Sequence, residues 1–267
     1  MFASFRAHST PLTQIVALTN GNFVTAANET PIKVWNSANL SMTLVYSSHS
    51  SGVTSLAYID ADTIASSSWD STIQLWSPIT GVQKVTITVD SQALCLTYLG
   101  NGKLVSGHVN GSVFIWNVST GVLLGHLVGH LQNVLSLELV DNQTLASSSQ
   151  DTTIIIWNLN IMSLRYNLTG HTSAVFGLRM LSDNILASGS ADKTVRVWNV
   201  ATRQQMFLLN GHADAIYWSV DTIGSDFLIS GSIDQTIKFW RISTGFQLTF
   251  TLNVSLEIRA LAVAGSK

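Results

Sequence analysis

Six tryptophans, Trp35, Trp76, Trp116, Trp157, Trp198 and Trp240, divide this chain at near-constant intervals of forty to forty-two positions. A fixed period of this length means one supersecondary unit used repeatedly, each copy burying its apolar face against the next. Each tryptophan ends a short alternating run: TPIKVW, STIQLW, GSVFIW, TTIIIW, KTVRVW and QTIKFW. Period-two alternation rich in β-branched residues predicts a strand. Six residues before each tryptophan stands a turn-forming polar residue, Glu29, Asp70, Asn110, Asp151, Asp192 and Asp234. Four residues earlier is a hydroxyl, Thr25, Ser66, Ser106, Ser147, Ser188 and Ser230. Counting back twenty-one positions from the turn residue gives His8, His49, Val89, His130 and His171, whereas His212 lies one position further back, so the sixth unit has gained one residue. Helical periodicity is absent, and Gly, Asn, Asp and Ser separate the short runs. The pattern predicts an all-β chain with about four strands per unit.

Composition narrows the partners. Of 267 residues 46% are hydrophobic, enough for a sizeable core, and only 10% are charged, so Ser, Thr, Asn and Gln must solvate the surface. A net charge of -2 and a pI near 6.4 leave no electrostatic footprint for nucleic acid or an anionic membrane. Cys95 is the single cysteine, which excludes an intramolecular disulfide and a multi-cysteine zinc site. No signal-peptide core is visible in MFASFRAHSTPL, and no run approaches roughly 18 apolar residues. An intracellular, cytoplasmic protein is expected, with the nucleus as the alternative.

These repeats resemble the WD-repeat (WD40) β-propeller family from end to end. Gly-His pairs at 129–130, 170–171 and 211–212, followed by the turn Asp and the strand Trp, carry the resemblance. The naming dipeptide departs: Asn36, Ser77, Asn117, Asn158, Asn199 and Arg241 follow the tryptophans where the family has Asp. The resemblance implies four-stranded antiparallel blades, six complete repeats plus an incomplete seventh starting within residues 254–267, all in a single domain over 1–267. FASFR before His8 resembles an outermost strand, and the second and third strands of that last blade are missing. A fragment of a longer seven-bladed parent is therefore expected ahead of six blades with frayed ends.

Ser, His and Asp are also the residue types of a hydrolytic triad. The resemblance instead implies one structural hydrogen-bond network per blade. Complete sets are His49, Ser66, Asp70 and Trp76; His130, Ser147, Asp151 and Trp157; His171, Ser188, Asp192 and Trp198; and His212, Ser230, Asp234 and Trp240. A nucleophile is built once, beside a cleft, whereas this constellation recurs, so no catalytic residue is assigned. Unit one has Glu29 for Asp, and unit three has Val89 for His and Asn110 for Asp, so these two are expected to be the weaker blades. His126 and His130 have a four-residue spacing, but across a strand end and a turn it gives no shared metal-binding face. Glycosidase-type Asp boxes place Asp five residues before Trp, and here the interval is six. No metal and no cofactor is expected.

Propellers of this kind bind on the top face, around the channel. Residues before the turn Asp and those three and five after the His position would point there. Large apolar side chains fill these slots at Trp69, Leu94, Val109, Leu135, Phe176 and Trp218, with Ile233 beside them. A contiguous apolar patch rich in tryptophan marks a docking site for a protein or peptide. Recognition of basic ligands or phosphopeptides needs an acidic ring or an arginine cluster at the rim, and only Arg259 is charged there. The expected function is a non-catalytic interaction scaffold. A propeller hydrolase, which an unpaired acid pair in one ordered cleft would support, and a sensor segment of a larger signalling protein are the alternatives.

Overall fold

A computed structural model describes residues 7–217, 220–254 and 258. Blade one shows the pattern: β1 (Leu12–Ala17), β2 (Phe23–Ala27), β3 (Ile32–Trp35) and β4 (Met42–Tyr46) pair antiparallel in chain order. Five more four-stranded antiparallel sheets repeat it, making a six-bladed propeller. The first strands of successive blades abut one another from blade one to blade six, so they line the centre. The segments that would supply the seventh unit, residues 2–6, 255–257 and 259–267, lie outside the described residues.

The repeating tryptophan is the wedge between blades. Trp198 packs with Ile154, Ile156, Leu168 and Val175, so the tryptophan of blade five closes the apolar layer begun by blade four. Trp76, Trp116, Trp157 and Trp240 do the same at their own interfaces. A blade cannot bury this face alone, which is why the sequence must repeat.

A second regularity sets the rim. Opposite the second strand, each first strand begins with a register shift that skips one residue: Thr13, Thr54, Leu94, Leu135 and Phe176 in blades one to five. A β-bulge of this kind re-aims a side chain out of the ladder. The fifth residue after the His position is thus turned out by backbone geometry, repeated blade by blade.

Candidate binding site at the channel mouth

The network of blade five reads in one direction. Trp198 Nε1–H donates to Ser188 Oγ at 2.8 Å, and Ser188 Oγ and His171 Nε2 lie 2.8 Å apart. His171 Nδ1 lies 2.7 Å from Asp192 Oδ2. Because indole only donates and carboxylate only accepts, the serine hydroxyl donates to Nε2 and neutral imidazole donates from Nδ1. Blade four repeats these three contacts at 2.7, 2.7 and 2.9 Å, blade six at 2.9, 2.8 and 2.9 Å, and blade two at 3.2, 2.8 and 2.8 Å. The aspartates also tie the turn together: Asp192 Oδ2 accepts the Thr172 amide, while Oδ1 accepts both the amide and the hydroxyl of Thr194.

Charge follows from these bonds. Burial lowers the pKa of His49, His171 and His212 below 6.5, more than their aspartates raise it. Burial alone would raise Asp234, but Thr236, the Ala213 amide and His212 hold it down at about 2. Asp151 and Asp192 are lowered further by the same kinds of bond. Neutral imidazole against ionised carboxylate is the consistent state. Ser66, Ser147, Ser188 and Ser230 have no exposed surface, so none of these hydroxyls can meet a substrate.

Units one and three depart from this set differently. In blade one Glu29 substitutes fully, with His8 Nδ1 2.7 Å from Oε1, His8 Nε2 2.7 Å from Thr25 Oγ1 and Trp35 donating to Thr25 at 2.8 Å. In blade three the imidazole that Val89 lacks comes from His108. Trp116 donates to Ser106 at 2.7 Å, His108 Nε2 lies 2.7 Å from Ser106 Oγ, and His108 Nδ1 meets the Ser91 carbonyl. Ser106 and His108 are two apart on one strand and so share a face. Asn110 stays outside, accepting only the Ser112 amide within its own turn. Burial holds His108 at about 4.

The first strands of the blades contribute to the walls of a cavity of about 1040 Å³. Trp69, Leu94, Leu135 and Phe176 line it, together with the polar Asn28 and Gln150. Trp69 is 45% exposed, Leu94 and Phe176 are half-buried, and Phe176 meets Tyr217 edge-on at 4.2 Å. Leu135, expected on an exposed rim, is 6% exposed although it sits at the same bulge as Leu94 and Phe176: packing by its neighbours covers it. Val109 and Ile233 are half-buried and lie off the cavity lining. Trp218 and Arg259 fall outside the described residues.

Three charged residues on this lining went unread in the sequence: Glu138, Arg179 and Asp221. Arg179 Nε lies 3.0 Å from Asp221 Oδ1, and Glu138 Oε1 accepts the Met180 amide at 2.9 Å. Burial pushes Glu138 up to about 7, against the Met180 amide and Arg179. All three occupy the eighth position after the His site, nine in the sixth unit, where earlier blades carry Val16, Ala57 and Thr97. Aligning the units would have exposed charge at this inner position.

His126 lies 3.1 Å from Ser112 Oγ while His130 is held in its network, so the two rings serve different partners. Among the described residues no group of three or more His, Cys, Asp or Glu could hold a metal, and no helix is long and apolar enough to cross a membrane. Cys95 is buried, and burial pushes its thiol up to about 12.

Six four-stranded blades, each tied by a Trp–hydroxyl–imidazole chain, define a repeat β-propeller. The family model described as WD domain, G-beta repeat, matches residues 40–77, 121–158, 162–199 and 203–241, more than half of the chain. The chain belongs to the WD40 repeat family. Among solved structures it is similar to the computationally designed Ika8 protein, with 30% identity and a TM-score of 0.80 over 96% of this chain and 79% of that one. The WD40 β-propeller domain of Doa1 matches at 18% identity and a TM-score of 0.83, over 94% and 85% of the two chains, and shows the fold alone. Autophagy-related protein 16 of Arabidopsis thaliana is 35% identical over 81 residues, 30% of this chain. That match spans only 16% of the curated relative's length.

Proposed function

We propose that this propeller is a non-catalytic scaffold that docks a protein or peptide over the channel mouth. The observation that carries it is the cavity whose wall combines the exposed Trp69 with Leu94, Leu135 and Phe176, each of the last three aimed by its bulge. Such an anchor beside an apolar cleft is what interface hot spots are made of. A hydrolytic reading lacks its unpaired acid pair, because Arg179 engages Asp221. An intracellular setting fits the buried, unpaired Cys95. The short match to Autophagy-related protein 16 covers repeat sequence and transfers no partner.

A seventh unit belongs to this reading. Ile258 donates its amide to Ser232 O at 3.2 Å, as Ile216 does to Ser190 O at 3.1 Å one repeat earlier. Leu252 is 41% exposed where its counterparts Leu168 and Leu209, covered by the following blade, are 2% and 6%. Both observations support reading Val254 as the start of an incomplete seventh repeat.

The test of docking is affinity capture with wild type, Trp69→Ala and Phe176→Ala, thermal midpoints checked in parallel. Folded variants that lose the captured partners support it; unchanged capture by both sinks it.

A further inference from the structure

We propose that the channel holds a subsite for one cationic side chain of a docked peptide, with the Glu138 carboxylate as its counter-charge. This rests on the docking reading above and specifies the chemistry of its ligand.

The argument is one of unbalanced charge. Among the described residues lining the cavity, Glu138, Arg179 and Asp221 are the only charged ones, two carboxylates against one guanidinium. Arg179 is charge-paired with Asp221, its Nε 3.0 Å from Oδ1 but not aligned as a hydrogen bond, and the same oxygen accepts the Thr222 amide at 2.8 Å. Glu138 has a single hydrogen bond, from the Met180 amide. A carboxylate offers about four acceptor sites, and leaving one ionised with a single protein partner in a half-buried position carries a desolvation cost. An entering ammonium or guanidinium relieves that cost, whereas a phosphate or carboxylate would meet two like charges.

The walls suit the rest of such a side chain. Glu138 lies three residues beyond Leu135 on the innermost strand of blade four, Val134–Asp141, roughly 10 Å deeper at the rise of an extended chain. Leu94, Leu135 and Phe176 offer apolar surface to the methylene stem of Lys or Arg, which buries its stem while its head finds charge. The rings of Trp69, Phe176 and Tyr217 near the mouth add quadrupole attraction for a passing cation.

A random peptide library displayed against the full chain, with selected peptides measured by fluorescence polarisation, tests this. Trp69-dependent binders should carry Arg or Lys at one position. Replacing that residue with citrulline or norleucine should weaken binding to wild type about tenfold or more, and by under about twofold on Glu138→Gln. Glutamine still accepts the Met180 amide, so the variant should fold; if it does not, the citrulline comparison on wild type decides. Among the described residues, the charged groups facing Glu138 are Arg179 and Asp221. Because burial holds Glu138 up at about 7, capture of a cation at neutral pH should also release a proton, read by calorimetry in two buffers of different ionisation enthalpy. Trp69-dependent binders without a basic residue, or equal losses on both proteins, overturn the subsite and leave docking intact. A selection with no Trp69-dependent binders overturns both.

Discussion

Blades three and five solve one problem with different residues. In blade five the imidazole arrives from the loop before the blade and is anchored by a carboxylate in the turn, His171 to Asp192. In blade three it arrives from the second strand itself, and His108 ends on the Ser91 carbonyl. The indole and the hydroxyl are common to both. What the fold requires is therefore an acceptor for a buried serine hydroxyl, not a histidine at a given sequence position. What blade three forgoes is the carboxylate that staples loop to turn, since Asp192 also takes the Thr172 amide and the Thr194 hydroxyl.

The largest test removes the imidazole from each. His108→Ala and His171→Ala should each cost about 2 to 3 kcal/mol in urea denaturation, because each strands a buried hydroxyl. If His108→Ala cost under about a third of its counterpart, the equivalence of the two blades would fail. Next, Asp192→Ala should cost about 2 kcal/mol, while Asn110→Ala should stay within about 0.5 kcal/mol, since Asn110 is exposed and bonds only the Ser112 amide. Equal losses would restore Asn110 to the network.

Acid separates the blades further. Unfolded histidines take up protons near pH 6.5, whereas the folded His49, His171, His212 and His108 are held lower by burial, so stability falls as pH drops below 6.5. Asp234, held at about 2 against an ordinary 3.8, stabilises above 3.8 and loses that contribution as pH falls through 2. Denaturation midpoints of wild type and Asp234→Asn should thus differ at pH 5 and converge towards pH 2; a gap that widens on acidification would contradict the assignment. The smallest effect on stability belongs to Trp69→Ala, within about 0.5 kcal/mol because the side chain is 45% exposed, although this variant should lose partner capture.

How much was legible follows from where each interaction lies in the repeat. Strands, the six complete repeats and the four His–Ser–Asp–Trp sets could be read directly, because each is a local pattern copied at a fixed period. The rim was read only in part. Trp69 and Phe176 stood out as large apolar residues in outward slots, but Leu135 occupies the same kind of slot and is buried. Neighbour packing settles exposure, and residue type does not. His108 escaped the sequence pattern because the other blades place their imidazole in the loop before the first strand, and blade three places its own two residues after Ser106.

The sequence by itself determined that this chain repeats one antiparallel unit, where its strands begin and turn, and which polar groups each blade must satisfy internally. Those are short-range demands of alternation, turn chemistry and hydrogen bonding. Only the tertiary structure decided which residues meet at the centre. Glu138, Arg179 and Asp221 each stand a full repeat from the next along the chain and belong to separate blades. They share a cavity because successive blades set their first strands side by side, and that arrangement comes from the packing of whole blades on one another.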